Sequence, residues 1–173
     1  MTPQTLTTMA IADGVAAEIQ TPADATVWSQ SGFRCRRSWL PTPSAEEQKT
    51  LQVDVIALGR VRVPKAGIVP TPGRETRGLL RSGHRIKVQM QKAISTAPAT
   101  YDAELDALAA FLMQVDDYWN AAHRKVAAIP GIIGDPHVTL MESSLVIYEP
   151  RKVDTQALWA GEILLTFTEA TAW

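Results

Sequence analysis

The stretch HRIKVQMQKAI (His84–Ile94), followed closely by YDAELDALAAFLMQVDDYWNAAHRKV (Tyr101–Val126), carries both periods on which the fold class turns. In the first, Ile86, Val88 and Met90 alternate with Arg85, Lys87, Gln89 and Gln91. That two-residue period predicts a strand with one apolar face. In the second, Leu105, Leu108, Leu112, Val115 and Trp119 recur at steps of three and four, which predicts a helix with one buried stripe. Asp102 and Glu104 fall in its expected first turn and Arg124 and Lys125 in its last, the signs that suit a helix dipole.

Working outward, Thr5–Gln20 reads as a short amphipathic helix on Ile11, Val15 and Ile19, with Pro22 just past its end. Gly32–Leu40 reads as a strand closed by Pro41 and Pro43. Thr42 or Ser44 is placed to cap a helical turn. Leu51–Leu58 is a second strand, with Leu51, Val53 and Val55 on one face and Gln52 and Asp54 on the other. Residues 59–81 hold Pro64, Pro70 and Pro72 among Gly59, Gly67, Gly73 and Gly78, and read as a long loop or extended arm. Loops of that length in a compact domain are usually functional. His137–Ile147 and Leu158–Thr168 are the remaining strands, the last with Trp159, Ile163, Leu165 and Phe167 set against Glu162, Leu164 and Thr166 in a mixed alternation. The expected order is α-β-β-β-α-β-β, an α+β chain with an antiparallel sheet of four to five strands and helices on one face.

The chain has 173 residues, 46% of them hydrophobic, and a formal net charge of −1. That length fits a single domain, 1–173, able to bury a sizeable core. The charge balance is not that of a dedicated nucleic-acid binder. Cys35 is the sole cysteine, so no internal disulfide can form. No stretch is long and apolar enough to span a bilayer, and Met1–Ala10 lacks a basic signal-peptide start. A cytoplasmic location without membrane attachment is the expectation.

Groups with catalytic chemistry are scattered. Cys35 lies on the apolar side of its strand, away from Arg34 and Arg36, where a small buried side chain is the ordinary reading. His84, His123 and His137 show no paired ligand spacing. Asp116 and Asp117 are adjacent on a helix and do not face each other. No glycine-rich phosphate cradle joins a strand to a helix. The sequence therefore predicts no catalytic residue, no metal site and no cofactor.

Charge distribution is the feature above background. Residues 59–92 carry Arg60, Arg62, Lys65, Arg74, Arg77, Arg81, Arg85, Lys87 and Lys92 against Glu75 alone, a net +8. Residues 93–120 carry Asp102, Glu104, Asp106, Asp116 and Asp117 with no Lys or Arg. Opposed faces of this kind can join copies head to side, and a heterologous interface that closes makes a ring. The candidate interface is Arg60, Arg62, Lys65, Arg74, Arg77 and Arg81 against Asp102, Glu104 and Asp106. Glu149–Gln156 is a second candidate contact loop. The basic arm could instead meet DNA phosphates or an acidic partner, and the plainer reading is a solvated loop and strand face.

The succession FRCRRSWLP (Phe33–Pro41), LQVDVI (Leu51–Ile56), RIKVQMQKA (Arg85–Ala93), DAELDAL (Asp102–Leu108) and LWAGEILLTF (Leu158–Phe167) resembles bacteriophage tail-terminator, or tail-completion and neck, proteins over most of the chain. The resemblance implies an α+β virion structural subunit, assembled in the host cytoplasm. It implies a ring, in the family a homohexamer, that ends the tail tube and meets the head-side connector. DNA would pass through the lumen without sequence-specific binding. A head-closure or neck adaptor, or a tail-tube-like subunit, is the alternative in the same class. A small hydrolase or ligand-binding α+β domain using Cys35 beside a histidine is the alternative in another.

Overall fold

A computed structural model of the chain describes residues 3–22, 26–40, 43–64, 80–94, 98–124, 138–153 and 156–169. Helix α1 (Pro3–Gln20) leads to strand β1 (Arg34–Arg37), a 3-10 turn (Glu47–Lys49), β2 (Gln52–Pro64) and β3 (Leu80–Ile94). Helix α2 (Pro98–Arg124), β4 (Val138–Val153) and β5 (Gln156–Glu169) complete the chain. The order differs from the expected one by the 3-10 turn between β1 and β2.

The five strands form one sheet in the order β1-β2-β3-β5-β4. The fold is α+β as expected, but the sheet is mixed. β1 runs parallel to β2, with Arg34 beside Gln52 and Arg37 beside Val55, while every other pair is antiparallel. The physical reason lies in the connection 38–51. It is long enough to carry the chain back for a parallel pairing, which a tight hairpin cannot do. Strands β2 to β5 are 13–16 residues long, roughly 43–53 Å at about 3.3 Å per residue.

Register places Cys35, Val53, Val55, Ile86, Val88, Met90, Ile163, Leu165 and Phe167 on one face. That face forms a single core cluster with Ile11, Val15 and Ile19 of α1 and Leu108, Phe111, Leu112, Val115 and Trp119 of α2. α1 lies over β1 and β2, and α2 over β4 and β5. At Gly161 the approach of α2 is close: a Cβ there would fall 2.5 Å from Leu112 Cδ2 and 3.3 Å from the Trp159 ring. The absent side chain lets Leu112 seat against β5.

Several boundaries move. α2 begins at Pro98, which suits a first helical turn because its missing N–H needs no partner there. Asp102 and Glu104 therefore lie beyond the first turn, where no acidic residue remains, and the dipole reading of those two is corrected. β1 is shorter than Gly32–Leu40, because the backbone bends at Trp39–Leu40. Glu149–Val153, read as a loop, belongs to β4. Val153 pairs with Gln156, so the connection to β5 is only 154–155.

The second sheet face is partly roofed by the β1–β2 crossover. Ser44 and Glu47 form a reciprocal box: Glu47 N–H donates to Ser44 Oγ at 3.3 Å, and Ser44 N–H donates to the Glu47 carboxylate at 2.9 Å. This motif satisfies two backbone donors at once. Glu47 also accepts from Arg36 and pairs with Arg34, while Gln52 Nε2 donates to the Glu47 carbonyl at 2.7 Å. The turn is thereby fixed over Arg36, Gln52 and Asp54.

Candidate assembly surface

The expected loop at 59–81 begins and ends as a β-ladder. β2 and β3 stay in register from Gly59 beside Arg85 to Pro64 beside Leu80, after a bulge between Ala57 and Gly59. Gly59 has φ 129°, a backbone conformation that glycine adopts without strain. Arg60 pairs with His84, Arg62 with Ser82, and Arg81 with Val63. Lys65, Arg74 and Arg77 lie outside the described residues. The missed signal is Arg60-Val61-Arg62-Val63, a two-residue alternation masked by the surrounding glycines and prolines.

The acidic set divides. Asp102 and Asp106 are exposed on α2. Glu104 instead turns to β3, where it accepts a 2.7 Å hydrogen bond from Lys92 Nζ. Lys87 is matched by Glu162 on β5 at 3.6 Å. Two of the nine basic residues are thus balanced inside the subunit by acids remote in sequence. The +8 of residues 59–92 overstates the charge offered to a partner, and Glu104 is not a free interface acid.

Sequence reasoning also missed the apolar part of the surface. Among the described residues the exposed large apolar side chains are Trp39 at 62%, Leu40 at 73%, Leu58 at 50% and Met113 at 48%. Trp39 is held from below. The Arg37 guanidinium sits 5.7 Å from its ring centroid, and Arg37 Nε donates to Asp13 Oδ1 of α1 at 2.5 Å. A cation over an indole face is attractive, and the Asp13 anchor keeps that cation in place.

The reactive groups have structural partners. Cys35 is a buried member of the core, and burial, with the Asp54 carboxylate adding to it, pushes its thiol pKa well above the usual range. Burial of this kind disfavours the reactive thiolate. We expect iodoacetamide to leave Cys35 unmodified in the native protein at mildly alkaline pH, and to alkylate it fully in denaturant. Mass spectrometry reads both states; rapid native labelling would refute the burial. His84 is buried, with Nδ1 2.7 Å from Thr8 Oγ1 of α1. The His123 side chain and His137 lie outside the described residues. No group of three His, Cys, Asp or Glu residues among the described ones is arranged to hold a metal.

Two polar clusters remain. The Ser44 backbone N–H and hydroxyl, with Arg36 and Arg34 beyond, lower the Glu47 pKa from its ordinary value. Between the helices, the Tyr118 hydroxyl donates to the Glu18 carboxylate. Burial first, and then Glu18, raise the Tyr118 pKa. Both clusters tie elements together and leave no open acid–base pair.

No helix of the described residues is long and apolar enough to cross a membrane. No protein-family model matches the sequence, and no curated protein matches it significantly. The functional reading therefore rests on the chain's own chemistry and on the motif succession described above.

Proposed function

We propose that this chain is a ring-forming phage assembly subunit, a tail terminator that ends the tail tube and meets the head-side connector. The observation that carries the reading is the β2–β3 ladder. It runs unbroken past the bulge to Pro64 and Leu80 and bears Arg60, Arg62 and Arg81 on paired strands. β5 pairs with β3 from Ser82 to Ile94, so most of the ladder is braced within the sheet, and braced strands place contacts with less ordering cost than loops. The exposed apolar side chains and the exposed acids Asp102, Asp106 and Asp117 of α2 supply the further contact chemistry an assembly subunit needs.

The purified chain is expected to form closed rings, with about six copies by family resemblance, seen by mass photometry and negative-stain imaging. Replacing Arg74 and Arg77 with Ala should lower ring yield or docking to tail tubes several-fold. A wild-type chain that stays monomeric at all concentrations, and is missing from particles, would remove the reading.

A further inference from the structure

The turn that roofs the second sheet face has no apolar anchor. None of Glu47–Lys49 is buried, and Ser44, Ala45 and Glu46 before it and Thr50 after it are exposed. Among the described residues its ties to the sheet are polar, and they converge on one residue. The Glu47 carboxylate accepts from Ser44 N–H at 2.9 Å and from Ser44 Oγ at 3.1 Å, which closes the turn on itself. The same carboxylate meets Arg34 Nη1 and Arg36 Nη1, each at 3.5 Å, which fastens the turn to β1. Gln52 Nε2 donates to the Glu47 carbonyl from β2.

What lies under the turn favours its release. Gln52, Asp54 and Gln91 are buried. Asp54 Oδ2 and Gln91 Nε2 have no hydrogen-bond partner among the described residues. Opening gives both groups water, which offsets part of the cost of breaking the ties. The front of the connection is held separately, by Ser38 N–H to the Val55 carbonyl and by Arg37 to Asp13. Release is therefore confined to residues 43–50. Segments with few buried apolar contacts open locally, apart from global unfolding.

The charges around Glu47 set the direction of its response to pH. β1 brings Arg34 and Arg36. β2 brings Asp54, which Arg36 Nε also holds at 3.1 Å. The turn itself brings Glu46 and Lys49, paired with each other at 2.6 Å. β3 packs against the turn and sets Gln89 and Gln91 on this face by register, and neither ionises. Lys87, the next position on that face, is matched by Glu162. The Ser44 N–H and hydroxyl, and then Arg36 and Arg34, hold the Glu47 carboxyl below the usual glutamate range. A carboxylate lowered in this way stabilises the folded form above its ordinary pKa, and that contribution is lost as pH falls through the lowered value.

We propose that residues 43–50 form an acid-released strap, clipped to β1 by the Glu47 carboxylate. Loss of that charge lifts the strap and bares Gln52, Asp54 and Gln91. The strap is shut at neutral and mildly acidic pH and opens below the ordinary glutamate value of about 4.3.

Hydrogen exchange of the full chain, corrected for intrinsic rates, tests this. The Gln48 and Thr50 amides, bound to the Ser44 and Glu47 carbonyls, should lose roughly tenfold in protection between about pH 6 and about pH 3. The core amides of β2 and β3 should keep theirs. Glu47→Gln should show the same loss at neutral pH, which separates Glu47 from Asp54, also protonated in acid. Glu46→Gln should not show it. Trypsin should cut after Lys49 roughly tenfold faster in Glu47→Gln than in the wild type, with circular dichroism unchanged. Wild-type protection in Glu47→Gln would overturn the proposal. So would an acid loss at Gln48 and Thr50 that occurs only in step with the core amides, a readout the wild-type chain supplies even where the variant does not fold.

Discussion

Phe111→Ala should lower the unfolding free energy by about 3–5 kcal/mol, the usual loss for deleting a buried phenyl ring. Natural domains are stable by only about 5–15 kcal/mol in total, so the variant should sit near the edge of folding. Phe111 is fully buried at the junction of α2 with the chain between α1 and β1. Its ring lies 5.8 Å from Trp28, edge to face, and 5.1 Å from Phe33. Trp28 in turn packs 5.1 Å from Tyr118 and donates its indole N–H to the Ile19 carbonyl at the end of α1. Removing Phe111 therefore opens a cavity and loosens the link between the helices. Urea unfolding followed by tryptophan fluorescence measures the shift. Phe111→Leu, which keeps most of the volume, should cost clearly less. Equal and small losses in both variants would show that the helices are joined elsewhere.

Arg36→Ala should have the second largest effect, a loss of about 2–4 kcal/mol. Breaking a fully buried ion pair by removing one partner costs about 3–5 kcal/mol, and the figure is reduced here because the Arg36 side chain is 32% exposed. The Asp54 side chain is not: it is 1% exposed, and Arg36 Nε at 3.1 Å holds its Oδ1. Its Oδ2 already has no hydrogen-bond partner among the described residues. Loss of Arg36 strands a buried carboxylate beneath the crossover and removes a cation from Glu47. Replacing both partners together, Arg36→Met with Asp54→Leu, should recover most of the loss, because apolar groups of similar shape leave nothing unpaired. Thermal unfolding of the single and double variants decides the matter. A double variant less stable than the single one would show that the pair is not what holds the crossover down.

These two sites differ in how far the sequence announced them. α2 was readable because its apolar stripe repeats over many turns, and four of the five stripe residues read from sequence are fully buried, with Leu105 packed at the margin. Phe111 escaped that stripe because the helix buries a wider face than one line of residues once Trp28 and Phe33 fold over it. Ile11, Val15 and Ile19 were legible for the same periodic reason and are fully buried. Asp54 was legible as the polar side of an alternating strand, but its burial was not. Only the crossover, pinned by Ser44 and Glu47, turns that solvent-facing position into an enclosed one.

The candidate surface was partly legible. Asp102 and Asp106 are exposed on α2, and Arg60, Arg62 and Arg81 lie on the paired strands β2 and β3. Glu104 could not be sorted from them by sequence, because its partner Lys92 lies on a different element. Trp39 and Leu40 gave no local sign of exposure, since an apolar pair at a strand end is as consistent with a core.

What this sequence determined by itself is which faces of its helices and strands are apolar, because that information is periodic and carried by near neighbours. From it follow the α+β class and the core stripes of α1, β3, α2 and β5. What only the tertiary structure decided is direction, pairing and neutralisation. These are the parallel placement of β1, the extension of β2 and β3 into a ladder, the Lys92–Glu104 and Lys87–Glu162 pairs, and the outward-held Trp39. The reason is physical: a two-residue period is the same for a parallel and an antiparallel strand. Likewise, a charge's effect depends on what packs within a few ångströms of it, however distant in the chain.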